Sequence, residues 1–82
     1  MSEVRYRVPA LARYAAYMLG VRHATDGVPH PGYCRTADAS RRAMRHFVGA
    51  LLGYPGDAPD DVTDYIADAY ERGRISTLPA VD

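Results

Sequence analysis

"VPALARYAAYMLGV", Val8 to Val21, is the stretch on which the fold turns. Proline is well placed in a helix's first turn and glycine just past its end, so Pro9 and Gly20 frame a helix over about 9–19. Leu11, Tyr14, Ala15, Met18 and Leu19 recur at helical spacing and form one apolar stripe. The other face holds Ala12, Ala16, Tyr17 and Arg13, and of these only Arg13 is charged. A surface helix normally keeps a broad polar side for water, and this one has almost none. Alanine, a good helix former, accounts for part of that bias. The rest predicts that the second face is covered by another chain.

Reading towards the N-terminus, "EVRYRV" alternates: Val4, Tyr6 and Val8 against Glu3, Arg5 and Arg7. Period two over Glu3–Val8 predicts a short strand or extended arm. A strand needs a partner for its edges, and "RISTL", Arg74–Leu78, stopped by Pro79, is the candidate within the chain. A strand of another copy is the alternative.

Towards the C-terminus, residues 22–35 read as a long loop, "RHATDGVPHPGYCR", punctuated by Asp26-Gly27 and Pro31-Gly32. His30-Pro31-Gly32-Tyr33 has the residue order of a type II turn. A second helix is expected over 37–52, capped by Thr36 or Asp38 and ended by Gly53. Met44, Phe47, Val48, Leu51 and Leu52 are its apolar stripe. A third is expected over about 58–72, with Pro59 in its first turn, Gly73 as its stop, and Val62, Ile66, Ala69 and Tyr70 facing inward. Asp60, Asp61 and Asp64 suit the positive end of its dipole and Arg72 the negative end. The expected fold class is therefore mainly α: one small three-helix domain over all 82 residues, with a short terminal strand at most.

The net charge is zero, but its halves differ. Met1–His46 carries eight arginines against three acids, and Phe47–Asp82 two arginines against seven acids. Every basic side chain is arginine, which, with the abundance of Ala, Gly, Asp and Val, suggests a high-GC genome, such as that of an actinobacterium or its phage. A single cysteine, Cys34, excludes an internal disulfide and fits a reducing, cytoplasmic setting. Arg13 cuts the apolar run below the length of a signal-peptide core or of the ~20 residues of a membrane span, so no membrane partner is expected.

His23, His30, Cys34 and His46 are all possible zinc ligands, yet the H-x6-H-x3-C-x11-H spacing lacks the short knuckle that structural zinc sites use. No metal and no cofactor is assigned to them. Cys34 with a histidine base would make a nucleophile, but no oxyanion donor or orienting acid accompanies it. Arg41, Arg42 and Arg45, following Arg35, make a basic stripe able to meet phosphates. Asp60, Asp64 and Asp68 supply a matching acidic face, which pairs internally, stays solvated or imitates a phosphate backbone. The expected function is a non-enzymatic protein-interaction module, acting as a homo-oligomer or by docking on another protein. Tyr14, Tyr17, Met18 and Val21 would supply affinity, and Arg13 and Arg22 orientation. The alternative is a DNA- or RNA-binding regulator that uses Arg41, Arg42 and Arg45.

Overall fold

The backbone is described for residues 2–76 of a computed structural model, with side chains from Ala10 to Ser76. Three helices follow one another: α1, Ser2–Asp26; α2, Ala37–Leu52; and α3, Asp60–Ser76. Each has a local reason for its ends. Gly27, at φ 75°, stops α1: its N–H bonds Ala24 O at 3.3 Å, and Val28 N–H bonds His23 O at 2.8 Å. Gly53, at φ 81°, ends α2 in the same way, with Tyr54 N–H on Gly49 O at 2.8 Å. Both satisfy last-turn carbonyls through a left-handed glycine. Thr36 caps α2, its hydroxyl accepting Ala39 N–H at 3.1 Å. Asp60 and Asp61 lie in the first turn of α3.

The topology is up-down-up. α1 and α3 run in the same direction: Arg13 meets Tyr65 and Asp68, and Gly20, two turns on, meets Tyr70 and Arg74. α2 runs against them, with Arg41 on Asp64 and Arg45 on Asp60. α3 is the centre, since α1 packs mainly on one side of it and α2 on another, and the two barely meet. The core is correspondingly thin: Ala16, Val48, Ala58, Ile66, Ala69 and Tyr70, flanked by Ala12, Leu19, Phe47, Leu51, Leu52 and Val62. The Cα trace measures 47 × 28 × 18 Å, so its shortest axis spans about two packed helices.

Small residues make the α1–α3 contact. Ala12, Ala16 and Gly20 on α1 and Ala69 and Gly73 on α3 recur at four-residue intervals. A Cβ on Gly20 would lie 2.2 Å from Tyr70 O, and one on Gly73 would lie 2.0 Å from Tyr17 O. The backbones touch there, and dispersion between close-packed main chains replaces interdigitated large side chains.

These contacts correct several expectations. Gly20 and Gly73 end nothing; both helices pass through them, because each glycine provides room for the crossing. α1 therefore runs to Asp26, α3 to Ser76, and the connection shrinks from 22–35 to 27–36. Glu3–Val8 is not a strand but the first part of α1, and Arg74–Ser76 belong to α3, so the proposed pairing is lost. Thr77 and Leu78 lie outside the described residues. A helix satisfies its backbone groups within its own segment, whereas a lone six-residue strand cannot. Pro9 consequently sits inside α1 rather than in its first turn. The 30–33 turn forms, with Tyr33 N–H on His30 O at 3.2 Å, but Gly32 is not left-handed, so the turn is not type II. Gly32 instead gives way to the Met44 side chain, which would stand 2.7 Å from a Cβ there.

Candidate interaction surface on the first helix

The small residues of the face of α1 that the sequence left without a polar side pack inside, whereas Tyr17 of that face stays exposed. Ala16 is fully buried and Ala12 packs on the core. Of the larger stripe, Leu19 alone packs on the core, while Leu11 is 71 % exposed, Tyr14 67 % and Met18 46 %, with Ala15 exposed between them. The reversal has a simple cause. Backbone contact at Gly20 and Gly73 pulls the small side of α1 onto α3 and turns the bulky side out.

Tyr14 also borders a groove between α1 and α3. This open groove, of about 290 Å³, is lined by Ala10, Arg13, Tyr14 and Tyr17 from α1, and by Tyr65, Ala69 and Arg72 from α3. Tyr17 and Tyr65 remain 36 % and 44 % exposed there. The Arg13 guanidinium lies 4.8 Å from the Tyr65 ring centre, donates to Tyr65 O and bonds Asp68 at 2.7 Å. Arg72 Nε holds the same carboxylate at 2.9 Å. Hydrogen bonds from Arg13 and then Arg72 keep the Asp68 carboxyl below its usual range. The groove is thus aromatic, with both arginines already committed to one acid. Stripe and groove share Tyr14 and adjoin along the outer side of α1.

Of the six residues expected to meet a partner, Tyr14, Tyr17 and Met18 belong to this surface. Arg13 is drawn to α3, and Val21 is half-buried where Gly73 meets the α1 backbone. Arg22 is exposed beside Asp26 at 3.9 Å. Leu11, Tyr65 and Arg72 are the members that sequence reasoning missed. The repeat of small residues on both helices was the available signal, since it marks which side of α1 goes inward.

The basic stripe of α2 is largely spent within the fold. Arg41 pairs with Asp64 and, at 3.2 Å, with Asp60; Arg45 reaches Asp60 at 3.2 Å. The Arg41 hydrogen bond holds the Asp64 carboxyl below its usual range and raises the arginine's own affinity for its proton. Arg45 Nε is buried without a hydrogen-bond partner. Arg42 is exposed beside His46 and Asp57, themselves 3.3 Å apart.

The histidines and the cysteine go to separate tasks. Tyr70, fully buried in α3, is the hub for two of them. Its hydroxyl lies 2.7 Å from His23 Nδ1 and accepts from Arg74 at 3.2 Å. Its ring packs edge-on against His23, His30 and Phe47. His30 Nδ1 accepts the Gly32 N–H at 2.9 Å, which leaves Nε2 to donate to Glu71 at 2.8 Å. His30 therefore pins the 27–36 connection to α3 through both of its ring nitrogens. Cys34 is exposed on that connection. Among the described residues, no three His, Cys, Asp or Glu side chains gather as a metal site, and no helix is long and apolar enough to cross a membrane.

Comparison of the chain with protein-family models, curated proteins and solved structures finds no match.

Proposed function

We propose that the chain is a non-enzymatic protein-interaction module whose docking face is the outer side of α1 together with the α1–α3 groove. One observation carries this reading: Leu11, Tyr14, Met18, Tyr17 and Tyr65 leave a contiguous apolar surface wet on a domain with a thin core. Clustered large apolar side chains mark interaction sites, whereas scattered ones do not. Tyrosine suits the task because it buries area while its hydroxyl stays hydrated. The single exposed thiol supports a reducing, cytoplasmic setting.

A capture experiment from a high-GC bacterial lysate tests the reading, comparing the wild type with Tyr17→Asp and Met18→Asp. A bound protein is expected to be lost from both variants. One retained equally by all three would show that this side of α1 is not the docking face. Nucleic-acid binding has less support, because Arg41 and Arg45 already hold Asp60 and Asp64. A low-salt mobility shift with mixed-sequence DNA is expected to show no complex. A complex abolished by Arg42→Ala would reverse that order.

A further inference from the structure

We propose that the occupant of this surface is a second copy of the chain, in a closed two-fold dimer that lays α1 antiparallel to its counterpart and seats each Tyr14 in the other copy's groove. The inference rests on the docking reading above and adds the partner's identity.

The first argument is self-complementarity. An isologous interface needs one patch that carries both a projection and the recess that receives it. Tyr14 is the projection, and the groove it borders is the recess, lined by Tyr17, Tyr65, Ala10 and Ala69. With the axis at Tyr14, antiparallel α1 helices set Leu11 against Met18 of the other copy and Ala10 against Tyr17. Small thus faces large on one side of the contact, and branched faces flexible on the other, which favours dense packing.

The second argument is area. At roughly 200 Å² for a fully exposed large side chain, the five residues Leu11, Tyr14, Tyr17, Met18 and Tyr65 leave about 500 Å² accessible per copy. A standard interface buries about 800 Å² per partner, just over half of it apolar, or about 450 Å². One copy therefore offers about the apolar surface that one half of a stable dimer requires.

The third argument is charge. Arg13 and Arg72 share Asp68 at the groove, and the chain has no net charge. A strongly basic partner finds no opposing field at a groove with two arginines to one carboxylate, and two copies of zero net charge meet without long-range repulsion.

Sedimentation equilibrium of the full chain from about 1 μM to 1 mM tests the proposal. The wild type is expected to be a dimer that dissociates only on dilution. Tyr14→Asp and Met18→Asp are expected to weaken association about 100-fold while keeping the helical circular-dichroism spectrum, since both positions are exposed. Tyr33→Asp, at a 92 % exposed position elsewhere, should leave the dimer intact. The register is read by mixing two single-cysteine proteins, Leu11→Cys and Met18→Cys, each in a Cys34→Ser background. Mild oxidation should give mainly the mixed disulfide. A monomeric wild type at 1 mM, a dimer indifferent to Tyr14→Asp, open-ended assemblies, or a predominance of like-with-like disulfides would each overturn the proposal. A monomer whose lysate partner is nonetheless lost with Met18→Asp would remove self-association and leave the docking reading standing.

Discussion

Gly20 and Gly73 show what a missing side chain can do at the scale of one residue. Neither has a positive φ among the glycines that do, so backbone freedom does not explain them; proximity does. An alanine at 73 would place its methyl against the Tyr17 carbonyl, a main-chain group that cannot rotate away. Overpacking of this kind costs about 1–3 kcal/mol, while alanine's helix propensity returns about 1 kcal/mol. Gly73→Ala is therefore expected to lower unfolding free energy by about 1 kcal/mol, and by up to about 2 kcal/mol, despite improving the helix. Gly27 makes the opposite case: it is left-handed and has open space around it. Gly27→Ala should cost about 1 kcal/mol, through strain alone. Urea titrations of the two variants decide between these accounts. A Gly73→Ala protein more stable than wild type would mean that the helices do not approach as closely as the structure has them.

At the scale of the element, what could be read from the sequence depended on whether the deciding residue had one meaning or two. α2 was legible almost to the residue, because Thr36, the Met44–Leu52 stripe and Gly53 each point to the same helix. α3 was legible for its acidic start and apolar face. Its end was not, because glycine is both the best helix stop and the best helix-crossing residue. The same ambiguity at Gly20 cut α1 short, and six alternating residues before Pro9 then looked like a strand. α1 also has large and small apolar residues all round. Periodicity found its stripe but could not say which side goes inward, and that choice is fixed by α3. The candidate site was legible only in part for this reason: Tyr14 and Met18 were named, whereas Leu11, Tyr65 and Arg72 needed the packing. The cap on α2 provides a test at this scale. Thr36→Ala removes the acceptor for Ala39 N–H and is expected to cost about 1 kcal/mol. Amide exchange should speed up in the first turn of α2 and not in α1, since the two helices barely meet. Equal acceleration in α1 would indicate a tighter α1–α2 coupling than the fold contains.

For the molecule as a whole, the opposition of a basic front and an acidic back becomes a means of closure. Arg13 of α1 and Arg41 and Arg45 of α2 converge on Asp68, Asp64 and Asp60 of α3, so ion pairs tie both outer helices to the central one. All of these groups are partly exposed, so each pair adds little on its own and is screened by salt. Their pH signature is nonetheless definite. Asp64 and Asp68 are held below the usual carboxylate range in the folded chain. The unfolded chain therefore takes up protons first as pH falls, near the ordinary value of about 4. Their contribution is complete above that value and disappears as pH drops through the depressed folded values. The melting temperature is thus expected to be level from neutrality to about pH 5 and to fall below about pH 4. An Asp64→Asn, Asp68→Asn double variant should start lower at pH 7, lose less on acidification, and respond less to 1 M salt. Thermal melts from pH 7 to pH 2 check this. A double variant whose acid limb has the wild-type slope would mean that α3 does not hold its neighbours through these carboxylates, and that burial around Ile66 and Tyr70 with the crossing at Gly20 and Gly73 closes the molecule alone.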